Sequence, residues 1–236
     1  MFFLDRFPEK ILNIIFDYLW LNEIVFSLLN VSSSVSSSIN NYHKYYLHFR
    51  YLNKSSLDLI LKSFQSQIHC LVWSLDHSVG PFAQLNELLV NYSLEDFVRL
   101  KKLNLIDFNE QSSLVLLSNL SKLNSLKCLR LDRMPTYIGS RSIRILPRLK
   151  RLDLPDASLF DRRSGQLFTN VNCLTIRRCS FQQFEHLFNI LPQQNLRSLV
   201  INETFIDRNQ TNCWPSLSRY PQQLTRLHLQ IDSKRN

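Results

Sequence analysis

The chain has 236 residues, of which 44% are hydrophobic, and its 28 Lys and Arg against 19 Asp and Glu give a formal net charge of +9. That apolar content is ample for a packed core, whereas three glycines in all (Gly80, Gly139, Gly165) argue against the glycine-rich loops by which a backbone approaches phosphate, and so against a nucleotide-binding enzyme. The basic balance admits an acidic partner, nucleic acid or anionic lipid, or simply a solvated basic surface.

At the N-terminus, Phe2 and Phe3 are followed by Asp5, Arg6, Glu9, Lys10 and Asp17, charges that a secretory signal's apolar core excludes. No uncharged apolar run reaches the roughly 18 residues that span a bilayer, since Asn13 and Asp17 break the stretch from Ile11 to Leu21. A soluble protein of the cytoplasm and/or nucleus is expected, without membrane association. The Asn-x-Ser/Thr triplets at Asn30, Asn53, Asn91, Asn119, Asn202 and Asn209 then carry no meaning as glycosylation sites.

From Phe7-Pro8-Glu9-Lys10 the pattern turns helical. Ile11, Leu12, Ile15, Phe16 and Leu19 share one side, with Pro8 in the first turn, where no N–H is needed. Asn22 is positioned to cap a second helix carrying Ile24, Val25, Leu28 and Leu29. Val31, Val35, Ile39 and Tyr42 continue at helical steps; the Ser-dense run around them reads either as linker or as helix, and the four-residue spacing favours helix. Three short helices bury little alone, so residues 1–48 are expected to lean on the rest of the chain or on a partner.

Farther along, a six-residue pattern, Leu-x-x-Leu-x-Leu, recurs: Ile68/Leu71/Trp73, Leu100/Leu103/Leu105, Leu126/Leu129/Leu131, Leu149/Leu152/Leu154, Val171/Leu174/Ile176, Leu196/Leu199/Ile201 and Leu224/Leu227/Leu229. The starts of successive copies are 32, 26, 23, 22, 25 and 28 residues apart. All but the first interval match the roughly 20–29 residues of a leucine-rich repeat, and the first implies an insertion around Asp76 to Gln84. Positions four and six of each copy point from a short strand into the core, while three, five and seven face the other way. One strand has no second surface against which to bury its two aliphatic side chains, so the copies must stack.

Between strands, Leu114, Leu117 and Leu120, and again Phe181, Phe184, Leu187, Phe188 and Leu191, recur at helical steps. Pro147, Pro192 and Pro221 stop these segments ahead of the next strand. Position nine holds Phe108, Met134, Ala157, Cys179, Thr204 and Asp232; leucine-rich repeats use Asn, Cys or Thr there to bond the turn backbone, so Cys179 and Thr204 fit best. The few residues after Leu229 are too short for a capping element. The expected fold class is α/β: a three-helix module over residues 1–48, then about seven irregular leucine-rich repeats over 49–236, forming a solenoid with parallel strands on its concave face and helices on its convex face.

The N-terminal pattern Phe7-Pro8-Glu9-Lys10-Ile11-Leu12, with Ile15-Phe16-Asp17-Tyr18-Leu19, Glu23-Ile24 and Val31-Ser32, resembles the F-box over about 40 residues, and proteins joining an F-box to leucine-rich repeats are a known family. The resemblance implies docking on the Skp-type adaptor of a cullin–RING ubiquitin ligase, with Phe7, Pro8, Ile11, Leu12, Ile15, Phe16 and Leu19 as contacts and a substrate protein held on the repeats; the alternative is that these side chains pack the module internally. Where the family continues with basic residues and Trp after its Val-Ser, this chain has Ser33, Ser34, Val35 and Ser36 to Ser38.

Little else suggests chemistry. Cys70, Cys128 and Cys173 fall at position three of their copies, on the open face; an intervening strand would hold them about 10 Å or more apart, too far for a disulfide. Cys213 stands outside the strand series, and no Cys-x-x-Cys or His-Glu-x-x-His occurs. His43, His48, His69, His77, His186 and His228 are scattered. No metal, cofactor or catalytic set is expected. The open-face columns contain Lys102, Asn104, Arg130, Asp132, Arg151, Asp153, Arg177, Asn202, Arg226 and His228. This excess of cations suits an acidic or phosphorylated partner, unless Arg130 and Arg151 simply neutralise Asp132 and Asp153 on adjacent strands. Without aromatics in those columns, stacking on single-stranded nucleic acid is disfavoured, although a phosphate-only contact would fit a basic nucleic-acid-associated protein. A repeat scaffold that never meets an adaptor is the other alternative.

Overall fold

The computed structural model describes residues 3–49, 52–74, 89, 91–108, 116, 119–132, 146, 148–157, 170–190, 195–205 and 223–232. The fold is α/β, every described strand pair being parallel. Two compact units are formed, one from Met1–Ile106 with Lys122–Ser125, the other from Asp107–Ser121 with Leu126–Asn236. These limits differ from the expected division after residue 48, because the N-terminal helices pack on the first strand. Among the described residues no helix is long and apolar enough to cross a membrane.

The first unit opens with α1 (Glu9–Asp17), α2 (Leu21–Leu28) and α3 (Ser33–Asn41). Pro8 precedes α1 as its N-cap, and its carbonyl accepts from the N–H groups of Ile11 and Leu12 at 2.8 and 3.2 Å. The expected cap at Asn22 is not found: the N-cap is Trp20, two residues earlier, the start of α2 is held by the Trp20 N–H donating to Glu23 Oε2 at 2.7 Å, and the buried Asn22 side-chain oxygen has no partner among the described residues. Helix wins in the serine run because Ser32 caps it, accepting from the Val35 N–H at 3.2 Å, while Val35 and Ile39 are buried. The Ser32 hydroxyl donates in turn to Asp5.

Residues 45–48 form a strand, β1 (Tyr45–His48), that the leucine pattern does not reveal. Its Leu47 lies level with Leu71 of β2 (Ile68–Ser74), and a bulge between Tyr45 and Tyr46 sets Tyr45 opposite Ile68. An aromatic ring thus fills the place that a leucine takes in the later copies. Edge-to-face contacts run from Phe16 to Tyr42, Tyr42 to Tyr45 and Tyr45 to Phe64, with ring centroids 5.5, 5.0 and 5.5 Å apart. They join α1, β1 and α4 (Lys54–Phe64), a helix capped by Asn53. Beyond β2, β3 (Lys102–Ile106) aligns Leu103 with Leu71 and Leu105 with Trp73. Cys70 and Val72 are buried along with Leu71 and Trp73, so Cys70 is not on an open face as its position in the copy suggested: β2 is an almost unbroken apolar run closed on both sides.

In the second unit, β4 (Cys128–Asp132), β5 (Arg151–Asp156), β6 (Cys173–Ser180), β7 (Ser198–Phe205) and β8 (Arg226–Asp232) lie side by side in chain order. Position four forms one row, Leu129, Leu152, Leu174, Leu199, Leu227, and position six another that includes Leu154, Ile176, Ile201 and Leu229. The period of two buries both rows on one face, apart from β8, and leaves Arg130, Asp153 and Thr175 on the other. After β6 the chain enters α5 (Phe181–Ile190) through a reciprocal cap. The Gln183 N–H donates to Ser180 Oγ, and the Ser180 N–H to Gln183 Oε1. Phe184 and Leu187 are then buried.

At position nine, Phe108, Ala157, Cys179 and Thr204 are all buried. Cys179 donates to the Ser180 carbonyl, and burial, more than the nearby Asp156, pushes its thiol up to about 12. Thr204 departs from expectation: its hydroxyl oxygen has no partner among the described residues, so it serves as a small core residue and not as a turn anchor. Leu114, Leu117, Leu191, Pro147, Pro192, Pro221, Met134, Cys213, His77 and the insertion at 76–84 lie outside the described residues, as do the side chains of Phe181, Phe188 and Asp232.

The row geometry predicts unequal losses along position four. Leu152→Ala, which empties a site stacked on both sides, should lower unfolding free energy by about 2–5 kcal/mol, whereas Leu227→Ala, at a residue 38% exposed, should lower it by less than about 1.5 kcal/mol; urea unfolding of the two variants tests the order. A pH effect is expected in the first unit. His69 is held below its usual value of 6.5 by burial first and then by Lys101, Lys102 and Lys44. Its neutral form therefore contributes stability above about pH 6.5 that is lost as the pH falls through the lowered folded value. Denaturation midpoints followed from pH 7.5 downward should show a fall that His69→Gln reduces.

Candidate functional site

Two surfaces, one in each unit, bring together residues singled out in the sequence. On α1 the seven residues that the resemblance marks as adaptor contacts divide by burial. Leu12 and Phe16 are 1% exposed; they face the aromatic contacts and belong to the unit's own core. Pro8 and Ile11 are exposed, and Phe7, Ile15 and Leu19 half-buried. Two side chains not among those seven lie outermost, Ile14 at 53% and Tyr18 at 86% exposed. Ile11, Ile14 and Tyr18 are three and four residues apart, so they form one stripe on the helix side away from Leu12 and Phe16. A helix that needs only one buried face normally carries polar groups on the other. Apolar residues on both sides of α1 were the signal in the sequence that could have identified this stripe.

The second surface is a shallow depression of about 210 Å³ on the open face of the second unit, lined by Arg130, Leu131, Arg151, Asp153, Leu154, Thr175, Arg177 and Asn202. Five of its lining residues, all but the two leucines and Thr175, were expected there from the alternation of the strands. The ion pairing differs from the expected one. Arg151 turns along its own strand to Asp153, its Nε 3.1 Å from Oδ1, and the hydrogen bond to Asp153 is the main cause holding the guanidinium above its ordinary value. Asp132 is taken by Arg177, two strands away, in a two-pronged contact at 2.7 and 2.8 Å. Arginine's length and planar fork permit this reach, and the intervening strand has only Pro155 at that level, with no polar group to compete.

Arg130 is therefore left exposed and without an ion-pair partner among the described residues. Counting Asp132 with the lining groups, the three arginines and two aspartates give the depression one net positive charge. The arginine lining suits a carboxylate or phosphate group, with Thr175 and Asn202 as neutral polar neighbours.

Of the other open-face residues, Lys102 and Asn104 stand on β3 in the first unit, exposed and half-buried, while Arg226 and His228 are exposed on β8 and do not line the depression. Cys70, Cys128 and Cys173 are free thiols. Arg151 lies level with Cys128 on one side and Cys173 on the other, so the intervening strand separates the last two as expected. No protein-family model matches the chain, and no curated protein matches it in sequence.

A double-mutant cycle with Arg177→Ala and Asp132→Ala, read by chemical denaturation, should give a coupling of about 1–2 kcal/mol, since the pair is two-pronged and only partly exposed. In the same assay, Arg130→Ala should change stability by less than about 0.5 kcal/mol.

Proposed function

We propose that this chain is a non-catalytic substrate-recognition subunit of a cullin–RING ubiquitin ligase of the SCF type. Residues 1–48 act as an F-box, docking on a Skp-type adaptor and through it on the cullin and RING subunits. Residues 49–236 act as a leucine-rich-repeat solenoid, with strands on the concave face and helices on the convex face, and hold the substrate protein. Bond-making chemistry then resides in the partner subunits, and the protein works in the cytoplasm and/or nucleus without a cofactor of its own.

The observation that carries this reading is the outward stripe of Ile11, Ile14 and Tyr18 on α1, a helix whose opposite side is already buried in its own unit. Apolar side chains exposed in a row lose free energy to water that a partner surface would recover. Pro8, Ile15 and Leu19 border the stripe, while Leu12 and Phe16 support it from within. The in-register rows of leucines and the net positive depression support the second half, a stacked repeat that presents a polar face to an acidic or phosphorylated substrate. The serines of α3, standing where the family has basic residues and Trp, favour the second reading, a repeat scaffold that does not engage an adaptor.

The two readings separate on co-expression with a Skp-type adaptor followed by size-exclusion chromatography. Wild type is expected to co-elute, and Ile14→Asp/Tyr18→Asp, which changes only exposed positions, to keep its circular dichroism spectrum while losing the adaptor by at least about 30-fold in affinity, as two desolvated anchor side chains of about 1 kcal/mol or more each imply. Folded wild type that elutes alone would leave the scaffold reading.

A further inference from the structure

The residues just ahead of the strands in the second unit form a line that the alternation of the strands does not reveal. The N–H groups of Lys150, Asn172, Arg197 and Thr225 donate in turn to the carbonyls of Lys127, Lys150, Asn172 and Arg197, at 2.8, 2.8, 2.8 and 2.9 Å. Lys127, Lys150, Asn172, Arg197 and Thr225 are thus successive rungs of one backbone ladder along the N-terminal edge of β4–β8, about 4.8 Å apart and about 19 Å from end to end. Three of the five rungs are exposed cations. Arg148, two residues ahead of Lys150, and Arg151 and Arg226, which open β5 and β8, are exposed there as well. Among the described residues the rungs themselves include no acidic side chain; Asp153, the third residue of β5, compensates Arg151, while Asp132, Asp156 and Glu203 stand toward the opposite ends of β4, β5 and β7.

Like charges on facing positions of neighbouring strands repel. Lys127 and Lys150 are such a pair, and the positive charge of Arg148 increases the repulsion, whereas Arg151 is compensated by Asp153. The folded chain bears this arrangement along one edge while it satisfies both arginine–aspartate pairs on the adjoining face. An anionic ligand spread along the edge would relieve it.

We infer that this edge is a docking track for an extended, carboxylate-rich segment of a partner protein. An extended peptide covering 19 Å has about six residues, and its alternate side chains, roughly 6.7 Å apart, all face one way, so acidic residues at every second position would each meet a cation of the track. Arg151, which opens β5 beside it, already binds a carboxylate, through its hydrogen bond to Asp153. The described rungs include no aromatic side chain on which a base could stack, which favours peptide over single-stranded nucleic acid. The inference names the substrate class for the receptor reading and rests on that reading only for the purpose of the bound protein.

The test is fluorescence anisotropy of the full chain with a labelled peptide of about twelve residues alternating Glu and Ser, titrated at low salt and again near physiological salt. Lys127→Gln/Lys150→Gln/Arg197→Gln should weaken binding at least about ten-fold, three surface ion pairs of about 0.5 kcal/mol each being lost. Arg6→Gln/Lys10→Gln/Lys62→Gln, which removes the same charge from exposed sites elsewhere, should change it by less than about two-fold. Circular dichroism checks both, and the single variant Lys150→Gln, expected to lose about two-fold, carries the comparison if the triple variant does not fold. Equal losses in the two triple variants, or no peptide binding by wild type at low salt, would overturn the proposal. So would a DNA duplex of matched charge that displaces the peptide at lower concentration, since that assigns the edge to nucleic acid. Peptide binding is read without the adaptor, so failure to co-elute with a Skp-type protein would reject the receptor role and leave the track intact.

Discussion

A single short strand with two aliphatic side chains on one face has nothing of its own to cover them, and the structure follows from that deficit. Each copy must lie beside the next with its leucines at the same level, because a slip of one residue would turn them to water. In the second unit the requirement produces the continuous row from Leu129 to Leu227. Parallel pairing follows as well, since every copy returns the chain to the same edge before the next strand begins. Once the leucine rows are aligned, everything else on the strands is aligned with them. The open-face columns and the N-terminal edge become straight lines of chemically similar positions, which is how a loosely conforming repeat comes to display ordered rows of charge.

The first unit meets the same requirement with different residues. Its first strand lacks the leucine at the start of the pattern and buries Tyr45 opposite Ile68 through a bulge. A large ring at that point reaches beyond the strand layer, and the edge-to-face contacts from Phe16 through Tyr42 and Tyr45 to Phe64 tie the helices to the strand. The Tyr42 hydroxyl donates to Asp17, which satisfies the polar end of a mostly buried ring. With the inner side of α1 occupied in this way, its outer apolar stripe is free for another role.

Electrostatics in the second unit depends on reach more than on adjacency. A neighbour-by-neighbour reading pairs Arg130 and Arg151 with aspartates on adjacent strands. Instead, Arg151 bonds along its own strand and Arg177 crosses a whole strand to Asp132. A long, planar guanidinium gains two hydrogen bonds by making that crossing, and of the three arginines Arg130 is left without an ion-pair partner among the described residues. Which of three similar arginines is available to a ligand is thus a consequence of side-chain length and of the proline lying between.

The sequence alone determined the strands from β2 onward, their register within each unit, the helical N-terminal segment and, outside β2, the residues of the open face, because these depend on periods of two and 3.6 that are written directly in the order of apolar residues. It did not disclose β1, where an aromatic residue and a bulge replace the expected leucine, nor α4, nor the cap of α2, which is set by a glutamate side chain reaching back to a backbone N–H. Only the tertiary structure decided that Leu12 and Phe16 lie inside while Ile14 and Tyr18 lie outside, that β2 is closed on both faces, and which of the three arginines of the depression has no ion-pair partner among the described residues. The basic edge likewise emerged only when strands far apart in the chain were set side by side. Each of these depends on what packs against a residue from a distant part of the chain, and local spacing carries no record of that.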